Sequence, residues 1–414
     1  MNIRNGAGAA PLMSERRVSL LGAILVAIGP ISMALYTPAM PEIVRAFGTT
    51  EAAVKMTLSL YFAGFAVAQL VCGPLSDGLG RKPVTFAFMG IYAVASLVAV
   101  LAPTVEVLIA ARFFQGVGAA AGVAISRALV RDLFTNEQSA RIMNLTGLIL
   151  AAGPALAPTI GGLTMELAGW QAIFLIMLTA GFAIVIVVQI FMHETVEPDP
   201  SRIRPGSLLR SYGTLLATPY FVTSGLIVAG SVGALYTQAT ILPFILMDDV
   251  GLTPSQFGVG MLMQTGLFFA GSLSVRFLMR RTSAWRLVPV GLSFIAAGSL
   301  LVPLLLNTAP LSFLSVMGPV GVYAYGIAFV MPAMLTASLA PFPRIAGSAS
   351  SLGGFMQMGA GLLGGSVAAL IGEPVLAMST VVPAMVATAI LSWLLWRRIP
   401  EPAHASPVRT IPDA

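Results

Sequence analysis

Twelve long apolar runs, each about the length needed to cross a bilayer, constrain this chain more than any other feature. A membrane span needs about twenty mostly apolar residues, because inside hydrocarbon every backbone polar group must be bonded within the helix itself. Such runs fall near 18–40, 52–75, 83–102, 106–128, 142–165 and 170–192, and again near 218–245, 254–276, 286–306, 311–338, 345–371 and 376–396. Glycine and proline interrupt many of them, as membrane helices tolerate. Only 9% of the residues are charged and 57% are hydrophobic, too little charge to cover a soluble surface. The expected fold is an all-α polytopic membrane protein of twelve transmembrane helices. The first run follows a polar segment carrying Arg16 and Arg17. It is too long for a signal-peptide core and lacks a cleavage site, so it reads as a retained span.

The basic residues give the orientation. Of the 22 Lys and Arg, 19 fall on the side of the membrane that holds the N-terminus; Arg45 and Lys55 fall on the other, and Arg112 lies within a span. Cytoplasmic loops carry the excess of basic residues, so both termini are expected in the cytoplasm. The net charge of +6 is what such loops produce and carries no nucleic-acid signal. A polar, proline-rich stretch at 193–216 is expected to link two six-helix halves, 1–192 and 217–414. The halves echo each other: Leu35-Tyr36-Thr37 recurs as Leu235-Tyr236-Thr237, and Arg141-Ile142 as Arg344-Ile345. That is the mark of a duplicated transporter unit.

Between the second and third runs lies Gly73-Pro74-Leu75-Ser76-Asp77-Gly78-Leu79-Gly80-Arg81-Lys82, with three charges in six residues. Its glycines permit a tight turn. Gly73, Asp77, Gly80, Arg81 and Lys82 resemble the loop signature of the major facilitator superfamily, G-x-x-x-D-x-x-G-R-K/R. In span four, Arg112-Phe113-Phe114-Gln115-Gly116-Val117-Gly118 resembles that superfamily's R-x-x-Q-G-x-G motif. Span five carries Gly153-Pro154 and Pro158 through Gly161-Gly162, which resembles the antiporter motif of drug-exporting members. Its ending is similar to the bicyclomycin and chloramphenicol resistance branch. Gly29 through Pro41 and Arg344 through Gln357 resemble segments of the same branch. One position departs: Ala34 stands where many relatives carry a membrane-embedded aspartate.

The resemblance implies two six-helix halves rocking about a central site formed by spans one, four, seven and ten. The candidates to line it are Met33, Tyr36, Arg112, Gln115, Tyr236, Gln238, Tyr325 and Met331. Methionine and aromatic side chains suit a soft apolar substrate. An arginine within a span faces protein or water, and Gln115, three residues on, shares its face. Arg112 reads equally as a coupling or substrate-positioning group and as a structural one bonded to carbonyls of span one. Asp77 and Asp132 are inner-face candidates to carry a coupled proton and read at least equally as gate ion-pair members with Arg81 or Arg131, and the proline and glycine positions of span five are expected to pack on the other half.

The expected activity is export of small, largely apolar drugs across a bacterial inner membrane, with protons as the exchanged ion and the chain acting as a monomer. No Asp or Glu lies near a bilayer midplane, so coupled protons would need a peripheral acid. The alternative is a facilitator or exporter of a sugar, an amino acid or an anionic metabolite, without proton coupling. An enzyme is not expected: the spans hold no histidine, and no nucleophile–base pair stands out. Cys72 is the lone cysteine, which excludes an internal disulfide and a thiolate metal cluster, and no metal or cofactor is expected.

Overall fold

The structure, a computed structural model, describes residues 13–134, 138, 142, 155–199 and 205–402. The described chain is helical, without strands: α1 Glu15–Tyr36, α2 Met40–Phe47, α3 Glu51–Leu79, α4 Arg81–Val100, α5 Val105–Leu133, α6 155–168 and α7 Trp170–Phe191. A short helix α8, Pro205–Leu216, follows. Then come α9 Pro219–Pro243, α10 Pro254–Leu278, α11 Ala284–Thr308, α12 Phe313–Leu339, α13 Ala346–Ile371 and α14 Pro374–Trp396. Among the described residues, eleven helical segments are long and apolar enough to span a membrane. They match the expected runs within a few residues. Most of the expected fifth span, with Gly153 and Pro154, lies outside the described residues, and α6 is its described part.

Local chemistry sets the boundaries. Thr50 accepts the Ala53 N–H at 3.2 Å and starts α3, and Thr253 with Gln256 forms a reciprocal capping box at α10. The Glu373 carboxylate accepts the N–H groups of Val375 and Leu376 and caps α14. Gly80, at φ +102°, makes the turn from α3 to α4, a conformation that glycine adopts readily. The 193–216 stretch is not all irregular linker, since its second half is α8. Pro205 stands at the first helical position, and Leu215 is buried against Phe221, Ala349 and Leu352.

Two apolar cores result. One gathers α1, α3, α4, α5 and α7 around Leu58, Phe62, Tyr92, Ile125 and Ile173; the other gathers α9, α11, α12 and α14 around Ile227, Ile295, Met317 and Val382. The exterior stays apolar, with Leu101, Leu300, Leu363 and Leu370 exposed, as a lipid-facing surface requires. The cores meet chiefly where α3 runs along α13. There Gly365 lies beside Ser59, Gly361 beside Phe62, and Gly354 beside Gln69. Small residues let the two backbones approach closely without an apolar driving force between them.

Candidate functional site

Arg112 sits at the centre of the first core and is fully buried. Its position follows from Gly116 one turn on. A Cβ there would run into the Tyr61 carbonyl, and one at Gly64 would run into the Phe113 carbonyl. The reciprocal glycines bring α5 and α3 into backbone contact, and this lays the Tyr61 ring over Arg112. The guanidinium carbon lies 4.4 Å from the Tyr61 ring centre and 4.5 Å from that of Tyr36. Two cation–π contacts in a dry site stabilise the charge by ~2 kcal/mol or more each. Arg112 Nη1 donates to Gln115 Oε1 at 2.8 Å, and Gln115 Nε2 donates to Ser96 Oγ at 2.7 Å. The two rings are fixed in turn: Tyr36 bonds Thr57 at 2.6 Å, and the Tyr61 hydroxyl donates to the Gly29 carbonyl at 2.8 Å. The nearby Tyr92 hydroxyl bonds Ser32. Arg112 and Gln115 therefore share a face as expected. Among the described residues Arg112 makes no hydrogen bond to a carbonyl of span one, which contributes the Tyr36 ring instead.

An aromatic path leads from this cage into the other core. Tyr61 contacts Phe62 with ring centres 6.2 Å apart, and Phe62 stacks on Tyr236 at 5.2 Å. Gln238 on the same helix is buried, and neither of its amide atoms has a hydrogen-bond partner among the described residues. Met33 is half-buried against the first core and Met331 against the second. Tyr325 lies apart from the cage. It bonds Ser274 at 2.8 Å and packs on Phe294 and Phe329, between α10, α11 and α12.

At the end of the bundle that carries the 73–82 turn, the charged residues form a network inside the first half. Arg81 reaches Asp77 at 2.5 Å, Asp132 at 3.0 Å and Ser76 at 2.6 Å, tying α3, α4 and α5 together. These pairs do not cross between the halves, as gate pairs would. Arg81 points back into its own bundle, because α4 starts immediately after the turn. Arg131 is exposed and has no ion-pair partner among the described residues. Glu194 closes the network: its carboxylate accepts the backbone N–H groups of Arg81 at 2.9 Å and Lys82 at 3.1 Å, capping α4. A Cβ at Gly80 would collide with that carboxylate. Lys82 Nζ donates to the Gln189 carbonyl at 2.8 Å, in the last turn of α7.

Other contacts do cross. At the turn end, Gly73 faces Ser351, Arg127 Nη1 donates to Ser350 Oγ at 2.6 Å, and the Tyr212 hydroxyl donates to the Leu70 carbonyl at 2.7 Å. At the opposite end Arg45 pairs with Asp248 at 3.2 Å. Buried Lys55 bonds Glu51 at 2.9 Å and the Gly372 carbonyl at 3.1 Å, at the C-terminus of α13. There α6 seats on α10: a Cβ at Gly162 would meet the Pro254 carbonyl, the Pro158 carbonyl abuts Gly258, and Thr159 donates to Gly258 at 3.0 Å. Gly161 faces the Leu35 carbonyl of α1. Sequence reading missed Tyr61, Phe62, Tyr212, Glu194 and the crossing role of Lys55. Lys55 did leave a signal, being one of only two basic residues expected on that side.

Two cores of membrane-length helices, joined along a glycine-lined seam and latched by polar contacts at both ends, define a membrane transporter fold. The chain belongs to the Major Facilitator Superfamily, whose family model matches residues 22–365. It is 30% identical over 367 residues to an uncharacterized MFS-type transporter, YdgK, of Bacillus subtilis, covering 85% of this chain and 87% of the relative. It is 30% identical over 358 residues to multidrug resistance protein D of Escherichia coli, covering 84% and 88%. It is 29% identical over 384 residues to the multidrug resistance protein MdtL of Salmonella paratyphi A, covering 92% and 94%. The fold matches a bacterial homologue of the human lysosomal transporter Spinster, solved inward-facing and occupied. The TM-score is 0.69 at 16% identity, covering 92% of this chain and 96% of that one. A human organic anion transporter, TETRAN, matches with a TM-score of 0.62 at 18% identity, covering 92% and 99%.

Proposed function

We propose that this chain exports small, largely apolar drugs or toxic compounds across the bacterial inner membrane by alternating access, in exchange for protons. The observation that carries the reading is the pair of latch sets at opposite ends of one seam. Arg127–Ser350 and Tyr212–Leu70 bridge the halves at the turn end; Arg45–Asp248 and Lys55–Gly372 bridge them at the other. Each contact is polar and remade at modest cost, whereas each half keeps its own apolar core. In this reading residues 1–192 and 217–414 move as two bodies, the turn end faces the cytoplasm, and the chain works as a monomer. The whole-length similarity to proteins named for multidrug resistance supports the substrate class.

In this mechanism the halves part at the turn end, and substrate enters between α1, α5, α9 and α12. The seam then closes there and opens at the other end. Arg112 stays inside the first half and passes its state to the second through Tyr61, Phe62 and Tyr236. Ala34 supplies no acid in α1, so a peripheral carboxylate carries the exchanged proton. The test is chloramphenicol accumulation in energised cells that lack their own exporters. Cells making this chain accumulate several-fold less drug than cells making Arg112→Ala, and a proton uncoupler abolishes the difference. Equal accumulation in both overturns the reading.

A further inference from the structure

We propose that Arg112 anchors a carboxylate-binding subsite that takes organic acids whose remaining surface is apolar. The inference rests on the transport reading above and narrows its substrate class.

Arg112 is a fully buried cation, and none of the ion pairs among the described residues involves it. The Tyr36 and Tyr61 rings cover the cation at 4.5 and 4.4 Å. Nη1 is engaged by Gln115 at 2.8 Å, with the Met177 sulfur at 4.0 Å. Nε and Nη2 are buried and have no hydrogen-bond partner among the described residues.

Those two nitrogens are not an arbitrary pair. In a guanidinium the Nε–H and one Nη2–H lie parallel on one edge of the plane, spaced to match the two oxygens of a carboxylate. Ring contacts cannot satisfy them, because a π face meets the plane of the group and not its edge. A buried donor left unmet destabilises the fold, more so when its group is charged. A water molecule would satisfy a donor without balancing the charge. A carboxylate does both, and with the tyrosines in place it must approach in the guanidinium plane. A flat aromatic drug therefore cannot stack on Arg112. The surroundings are apolar, with the Tyr36 and Tyr61 rings over the cation and the Phe174 ring packed on Tyr36 at 5.6 Å, which favours a carboxylate on a hydrophobic body. In this account the substrate brings the negative charge that the spans lack.

The test uses full-length protein in lipid nanodiscs, with 2-naphthoate and its neutral analogue 2-naphthamide as calorimetric probes. The wild type is expected to bind the acid at least about tenfold more tightly than the amide. Arg112→Lys, which keeps the charge and loses the fork, is expected to bind both alike to within about threefold. Equal affinities in the wild type, or a preference that survives in Arg112→Lys, overturn the proposal. If the variant does not fold, the wild type decides alone: naphthoate must raise the melting temperature and naphthamide must not, and equal shifts or none overturn it. Chloramphenicol efflux is measured in parallel. Efflux without acid preference removes the subsite and leaves the export reading standing. Acid preference without chloramphenicol efflux supports the subsite and overturns the apolar-drug reading.

Discussion

Tyr212 donates its hydroxyl to the carbonyl of Leu70 at 2.7 Å, the carbonyl that Pro74 leaves without its helical donor. Proline has no N–H, so the acceptor four residues before it is orphaned. The linker helix α8, packed on the second half, supplies the missing donor to the first. In the alternating-access reading proposed above, the bond exists only while the turn end is closed. Tyr212→Phe should weaken that closure by ~0.5–1.5 kcal/mol, a shift of about two- to thirteenfold in population. Spin-label distances between α3 and α13 would report it. In a Pro74→Ala background the restored N–H takes over the carbonyl, so Tyr212→Phe should then have a smaller effect. An equal effect in both backgrounds would show that the orphaned carbonyl is irrelevant.

Gly116→Ala should destabilise the first half by ~1–3 kcal/mol, because the added methyl meets the Tyr61 backbone and not a movable side-chain tip. Gly90→Ala, where a Cβ meets nothing within 4 Å, is the matched control and should be neutral or slightly stabilising. Thermal unfolding in detergent checks the pair. Equal melting temperatures would contradict the contact between α3 and α5.

The two carboxylates on Arg81 should differ sharply. Asp132 is 14% exposed against an Arg81 side chain that is 3% exposed, whereas Asp77 is 40% exposed. Removing one partner of a buried pair costs ~3–5 kcal/mol, and an exposed pair is worth about 1 kcal/mol or less. Asp132→Asn should therefore lower stability far more than Asp77→Asn, despite the shorter distance to Asp77. Chemical denaturation of the two variants gives the ranking, and the reverse order would contradict it.

At the opposite end, Lys55 should outrank Arg45 as a latch. The Lys55 side chain is fully buried beside the Gly372 carbonyl and the Phe244 ring, while that of Arg45 is 58% exposed. Lys55→Met should raise the labelling rate of cysteines placed along the α3–α13 seam near that end several-fold, and Arg45→Gln should change it less than twofold. Matching rates in the two variants would contradict the assignment.

Span positions, the pairing of Arg112 with Gln115 and the seating of Gly162 on the other half were legible in the sequence, whereas Gly161 packs on Leu35 of its own half. Each follows from local rules: run length, helical spacing, and small residues where backbones touch. The cage around Arg112 was not legible, because Tyr61 reaches it from another helix and nothing in the spacing of α3 marks that tyrosine apart from others in the core. Glu194 looked like one charge among several in a polar linker; only the fold brings it to the start of α4. The expected pairing of Asp77 and Asp132 with Arg81 is present, but it lies within the first half for a geometric reason. A turn as tight as Gly80 returns the chain into the same bundle, so its charges find partners there. The latches that do cross come from Tyr212, Arg127, Lys55 and Arg45, whose partners are distant in sequence and partly backbone, so residue type does not announce them.

The export reading is tested most directly in proteoliposomes holding purified protein, a trapped pH dye and a preset pH gradient. The account predicts that adding chloramphenicol produces proton flux through the wild type, and that Arg112→Ala abolishes it while the liposomes stay sealed. Chloramphenicol movement with no proton flux would contradict proton exchange, and no chloramphenicol movement under any gradient would contradict drug export itself.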